Sequence, residues 1–135
     1  MLGVSVDQRR SATVTVGADS RVNFWAFKCD RPARALHSLR MDSVVARSAI
    51  HRDTAMLALA LDDCRVLLVD VDTRRVVRKF GGHANSVTDM AFSSDGRWLV
   101  TAAMDSTVKI WDIPSSRLTL FSFFDNNIWH NLVQD

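Results

Sequence analysis

The 135-residue chain contains no glutamate: all fifteen of its acidic residues are aspartate. Aspartate competes for backbone hydrogen bonds and suits turns, whereas glutamate suits helix interiors, so this bias favours short strands joined by tight turns. Lysine is scarce as well. Only Lys28, Lys79 and Lys109 interrupt an otherwise all-arginine set of seventeen basic residues, and the net charge of +2 singles out no class of partner. Cys29 and Cys64 form no CxxC pair, which points to a reduced intracellular setting and gives a zinc site no support. His37, His51, His83 and His130 show no metal-ligand spacing either, so neither metal nor cofactor is expected. The N-terminus, MLGVSVDQRR, has no basic lead and is too short for a secretory signal. No apolar run approaches the roughly eighteen residues of a membrane span, so no membrane partner is expected. No acid–base or nucleophile constellation clusters in the chain, which excludes an enzyme with a small-molecule substrate from the expectation.

What is present is a repeat. Hydrophobic residues make up 47% of the sequence, enough for an ordinary domain with a core. The stretch Gly82–Asp112, GHANSVTDMAFSSDGRWLVTAAMDSTVKIWD, opens with Gly-His and closes with Trp-Asp. Between them lie three short apolar runs, Val87–Phe92, Trp98–Ala103 and Val108–Trp111, separated by turn signals at 93–96 and 104–107. Thr13–Trp25 (TVTVGADSRVNFW) and Leu57–Val69 (LALALDDCRVLLV) align with Leu99–Trp111 (LVTAAMDSTVKIW). Their turn aspartates, Asp19, Asp63 and Asp105, recur 44 and 42 residues apart.

That frame and period resemble the WD-repeat family, whose repeat is a four-stranded propeller blade of about 40–45 residues. The fold expected is all-β: a partial WD-repeat β-propeller of about three four-stranded antiparallel blades over residues 1–124. The repeats lie at about 1–26, 41–71 and 82–112, each followed by an outer strand. The expected outer strands are Leu36–Leu39, Val76–Phe80 and Leu118–Phe124, and residues 125–135 are expected to be a divergent tail without a blade mate. Runs such as LALAL and WLVTAA are apolar on both strand faces, as expected when blades stack and bury both sheet faces. Propellers need about four to eight blades to close, so the chain is expected to be a fragment or a truncated gene product with bare terminal faces. TLFSFF, uncharged and free of proline, is then an aggregation hazard.

A closer resemblance rests on HRDTAMLALALDD at 51–63, DTRRVVRKFGGH at 72–83, DMAFSSDGRWLVTAAMD at 89–105 and WDIPS at 111–115. These look like the family of tandem-propeller WD-repeat subunits in the UTP-B subcomplex of the small-subunit processome. The resemblance covers about residues 1–120, and FSFFDNNIWHNLVQD at 121–135 departs from it. It implies a nucleolar, non-catalytic scaffold for ribosomal RNA processing and small-subunit biogenesis. The implied partners are other WD-repeat proteins of the processome, with pre-ribosomal RNA or the small nucleolar ribonucleoprotein. The alternative is a generic WD adaptor of another complex, in ubiquitin ligation or signalling.

The family pattern also implies a buried hydrogen-bond chain among His83, Thr101, Asp105 and Trp111. The chemistry suits it, because an indole N–H only donates, a threonine hydroxyl donates and accepts, and a carboxylate only accepts. The first repeat keeps Thr15, Asp19 and Trp25 of this set. The second keeps Asp63, with Met41, Leu59 and Val69 in place of the polar partners and apolar packing expected instead. A catalytic triad is not the reading, because the threonine lies inside an apolar strand.

Loop parity provides one further expectation. Lettering the strands of a blade a to d from the centre outward, loops a–b and c–d share one propeller face, and loops b–c and d–a share the other. The first face would carry Arg9, Arg10, Arg52 and Arg97 together with Lys28, Arg31, Arg34, Arg74, Arg75 and Arg117. Against these ten basic residues stand Asp7, Asp30, Asp53, Asp72 and Asp95. Such an arginine-rich face can meet RNA phosphate or an acidic partner segment through planar, bidentate guanidinium groups. With no aromatic residue in Arg74–Lys79, base stacking there is not expected.

Overall fold

A computed structural model describes the backbone of residues 3–7, 12–26, 35–51, 53–115, 117–125 and 128–133, and the side chains of 13–25, 37–51, 53–115 and 118. The first sheet contains β1 (Gly3–Asp7), β2 (Ala12–Val16), β3 (Arg21–Ala26) and β4 (Ala35–Arg40). The second contains β5 (Val45–His51), β6 (Met56–Leu61), β7 (Val66–Asp70) and β8 (Arg75–Phe80). The third contains β9 (Val87–Phe92), β10 (Trp98–Ala103), β11 (Thr107–Asp112) and β12 (Arg117–Asp125), with β13 (Ile128–Val133) added beyond β12. Each sheet is an antiparallel meander in chain order, so the strands alternate along the lines that the repeat predicts.

The tail is the exception. Residues 125–135 are expected to lack a blade mate, yet Ile128–Val133 pairs antiparallel with Leu120–Asp125 and makes the third sheet five-stranded. The physical reason is an available edge: β12 would otherwise present a row of unpaired backbone groups, and a nearby extended segment satisfies them.

The turn between the second and third strand is built the same way in all three blades. Asp19 Oδ1 accepts the Arg21 amide at 3.2 Å, Asp63 Oδ1 the Arg65 amide at 3.2 Å, and Asp105 Oδ1 the Thr107 amide at 3.0 Å. The residue after each aspartate, Ser20, Cys64 or Ser106, is left-handed, with φ of 63°, 70° and 63°. The periodic aspartate is thus a side-chain mimic of a backbone turn, the role in which aspartate outperforms glutamate.

Strand alternation then assigns the faces. In the second sheet Leu57 pairs with Val69 and Leu59 with Leu67, while Ala58 pairs with Leu68 and Ala60 with Val66. The first set packs with Val14, Val16, Val22 and Phe24 of the first sheet; the second packs with Met90, Leu99 and Trp111 of the third. Leu57, Leu59, Leu68 and Val69 are completely buried. Met41, Leu59 and Val69 all belong to the first of these clusters, so packing fills the positions where a lock would sit.

Leu59→Ala in the intact protein is expected to cost about 2–5 kcal/mol, since it opens a cavity between two sheets. Val76→Ala, at an exposed strand position, is expected to stay within about 0.5 kcal/mol. Denaturant midpoints of the two variants check this contrast.

Candidate functional site

The third blade brings His83, Thr101, Asp105 and Trp111 together. Trp111 Nε1 donates to Thr101 Oγ1 at 3.0 Å, and Thr101 Oγ1 lies 2.7 Å from His83 Nε2. Asp105 Oδ2 accepts from His83 Nδ1 at 3.2 Å and from the Ala84 amide at 2.8 Å. Because the carboxylate can only accept, Nδ1 carries the imidazole proton. Nε2 then accepts the Thr101 hydroxyl hydrogen, and the hydroxyl oxygen takes the indole N–H. One neutral tautomer therefore satisfies every member of the chain.

Two further residues complete the arrangement. Thr107 donates its hydroxyl to Asp105 Oδ1 and its oxygen stands 3.0 Å from His83 Nδ1. Lys109 is buried, donates from Nζ to the Gly82 carbonyl, and sits 5.9 Å from the Trp111 ring centroid. Gly82 has φ 117°, a backbone conformation that favours glycine, and a β-carbon there would stand 3.0 Å from the movable end of Lys109. Alternation could have found Lys109, which precedes Trp111 by two residues and so shares its face.

The electrostatics keep this site neutral at its centre. Burial pushes the His83 imidazole below its ordinary 6.5, against the pull of Asp105 and with help from the Lys109 charge. Burial also acts to raise Asp105, but hydrogen bonds from Thr107, the Ala84 amide and His83 outweigh it and hold the carboxyl below 3.8. Burial lowers Lys109, opposed by Asp105. The Thr101 hydroxyl is fully buried and committed on both sides, an arrangement that holds strands together and exposes no nucleophile.

In the first blade Trp25 Nε1 donates to Thr15 Oγ1 at 2.8 Å, reproducing one link. Asp19 is turned to its own loop and lies 4.0 Å from Arg21. In the second, Asp63 pairs with Arg65, whose Nε donates to Oδ2 at 2.7 Å; this bond lowers the carboxyl pKa and raises the guanidinium's.

The loop faces follow backbone links within each blade. Val71 N donates to Ala55 O at 2.8 Å and Ile113 N to Arg97 O at 2.9 Å, tying c–d to a–b connections. Met41 N to Ser20 O, Asp62 N to Val44 O and Met104 N to Ser86 O tie the other two loop types together. Arg74, Arg75 and Arg97 therefore lie on the a–b/c–d face, where Asp53, Asp72 and Asp95 balance them. Arg9, Arg10, Arg52, Lys28, Arg31 and Arg34 lie outside the described residues, as does the Arg117 side chain.

Arg97 itself is anchored. Its guanidinium lies 4.6 Å over the Trp98 ring, and its Nε is 3.8 Å from Asp112 Oδ1, a buried atom without a hydrogen bond. The equivalent carboxylate in the second blade, Asp70, accepts the Asp72 and Thr73 amides at 2.8 and 3.2 Å. Pro114 stands where Asp72 does and has no N–H to give. Arg97 supplies the missing positive partner, where the second blade has only Ala55. His51 makes a second tie that sequence reasoning missed: its Nδ1 accepts from the Thr54 amide at 3.3 Å, leaving Nε2–H to donate to Ser94 O at 3.0 Å in the next blade. Ser94 is 43 residues away, and no local pattern signals such a partner.

Trp111→Phe keeps the stack on Phe80, whose ring centroid is 5.0 Å away, but removes the indole donor. It is expected to cost about 1–3 kcal/mol in the intact protein, and the denaturant midpoint measures it. The pH dependence has a definite sign. With the folded His83 pKa below 6.5, the unfolded chain takes up the proton first, so stability falls as pH drops from 6.5 toward the folded value. Asp105, also lowered, contributes stability above 3.8 that is lost on further acidification. Melting curves from pH 7 to 5 are expected to fall more steeply for the parent protein than for His83→Gln.

Comparison with known proteins places this geometry in a family. A profile described as the WDR36/Utp21 second beta-propeller domain matches residues 1–127, slightly beyond the expected limit of about 120. Human WD repeat-containing protein 36 is 44% identical over 116 residues, covering 86% of this chain and 13% of the relative. The U3 small nucleolar RNA-associated protein 21 of Saccharomyces cerevisiae is 38% identical over 113 residues, 84% of this chain and 12% of the relative. The chain thus spans only a small part of the curated relatives it matches. The solved structure of U3-55K superposes with a TM-score of 0.81 at 22% identity, covering 91% of this chain and 39% of that one, a likeness of fold. Three antiparallel blades in repeat order and a match over nearly the whole chain lead to one conclusion: this chain belongs to the WDR36/Utp21 family, within its second β-propeller domain.

Proposed function

We propose that the chain is a non-catalytic scaffold segment of a nucleolar small-subunit processome component, acting in ribosomal RNA processing through partner contacts. The observation that carries this reading is the family match over residues 1–127. The names of relatives in two yeasts, which associate those proteins with U3 small nucleolar RNA, support it. The polar side chains that could suggest chemistry are buried and satisfied, as the Thr101 hydroxyl is, which supports a structural use for them.

The a–b/c–d face is the proposed contact surface, through Arg9, Arg10, Arg52, Arg74, Arg75, Arg97 and Arg117. Among the described residues, three arginines face three aspartates, so any surplus of positive charge rests on the others. A balanced, hydrogen-bonded surface suits another propeller protein at least as well as it suits RNA phosphate.

The test is Arg74→Glu with Arg75→Glu in the full-length protein, followed by recovery of processome subunits and pre-ribosomal RNA across a salt series. The expected result is weaker recovery of at least one of them, with the deficit largest at low salt and narrowing as salt screens the contact. Unchanged recovery of both leaves only a solvated loop surface.

A further inference from the structure

We infer that the outer edge of the second blade, strand β8, is a docking site for an extended acidic segment of a partner protein, which adds to the sheet as a fifth strand. Among the described residues β8 pairs with β7 alone, so one side of Arg75–Phe80 presents unpaired backbone donors and acceptors. Such an edge is a template for strand addition. The same molecule shows that this kind of edge is used: on the third blade β13 lies antiparallel along β12, from Leu120↔Val133 to Asp125↔Ile128. The two outer strands are built alike. Each carries an irregularity where it passes the last residues of its inner neighbour, between Leu68 and Val69 for β8 and between Ile110 and Trp111 for β12. The pairing of β13 begins beyond that point, which corresponds on β8 to Arg78 onward.

Side chains set the chemistry of the occupant. Arg75, Arg78 and Lys79 are exposed on β8, and Arg74 precedes them. Val76 is exposed at 36% beside them. Arg78 donates from Nη1 to its neighbour's carbonyl, Val77 O, at 2.9 Å, which keeps the cation beside the strand. Among its described side chains, the first blade's edge, β4, exposes His37, Ser38 and Arg40, and the third edge is already occupied. The register puts Arg75 and Arg78 on one face and Val76 and Lys79 on the other, so a strand with alternating carboxylate and small apolar side chains satisfies the two arginines, the valine and the backbone row together. A nucleic acid would meet the charges and leave the backbone row unpaired. Edge cations also deter self-pairing between copies, which is consistent with a partner of opposite charge. This site adjoins the loop-face contact proposed above and shares Arg74 and Arg75 with it, whereas Arg78 and Lys79 belong only to the β8 edge.

The experiment uses purified full-length protein and three probes: a capped peptide of alternating Asp and Val, the same peptide with its central Val replaced by Pro, and a short oligouridylate. The alternating peptide is expected to bind and to slow hydrogen exchange of the β8 amides. Proline substitution is expected to weaken it about tenfold, as loss of one or two backbone hydrogen bonds requires. The Arg78→Gln, Lys79→Gln double variant is expected to lose binding with an unchanged melting point, and Arg78→Lys to retain it. Equal binding of the proline peptide would reduce the site to a charge effect and overturn the inference. So would protection of β8 by oligouridylate in place of the peptide, or no protection by either.

Discussion

The structure depends on the mutual covering of sheet faces. An antiparallel sheet that is apolar on both sides cannot stand in water, and the second sheet, with Leu57, Leu59 and Val69 on one face and Ala58, Ala60 and Leu68 on the other, is of this kind. It is stable only between two neighbours, which supply Val14, Val16, Val22 and Phe24 on one side and Leu99 and Trp111 on the other. The stacking direction of the blades and the positions of their loops follow from that requirement. The half-buried Val100, Ala102, Val108 and Ile110 of the third sheet repeat the pattern on a face with no described neighbour.

Within this stacked arrangement two chemistries fill one structural position. The third blade buries an indole, a hydroxyl, an imidazole and a carboxylate, at a desolvation cost that is offset because every donor finds an acceptor. The second blade fills the corresponding volume with leucine and valine. Both hold the inner strands in register. The polar solution is specific, since its members fit one another in a single tautomeric arrangement, and the apolar solution tolerates more variation in shape. The first blade is intermediate, retaining the Trp25–Thr15 bond while Asp19 serves its own turn.

Charge on the loop face is likewise settled by local satisfaction. Arg97 counts as a surface cation in the sequence. In the fold it lies on Trp98 and faces the Asp112 carboxylate that Pro114 leaves without an amide. On the opposite face Arg65 is paired with Asp63 and stands 3.9 Å from Asp42. Formal counts of basic residues therefore overstate what either face can offer a polyanion.

By itself the sequence determined the strands, their order and the turns between them. These are local: the alternation of apolar residues, the aspartate that closes each b–c turn and the spacing of 44 and 42 residues act over a few neighbours and repeat. The set His83, Thr101, Asp105 and Trp111 was legible for the same reason, as positions in a repeat. Lys109 was legible in principle from its strand face, although its residue type argued against burial. Only the tertiary structure decided the His51–Ser94 tie, the Arg97–Asp112 pairing and the attachment of β13 to β12. Each depends on which edges and loops come within hydrogen-bond reach once the sheets are stacked, and that distance is set by packing between segments far apart in the chain, which no local pattern encodes.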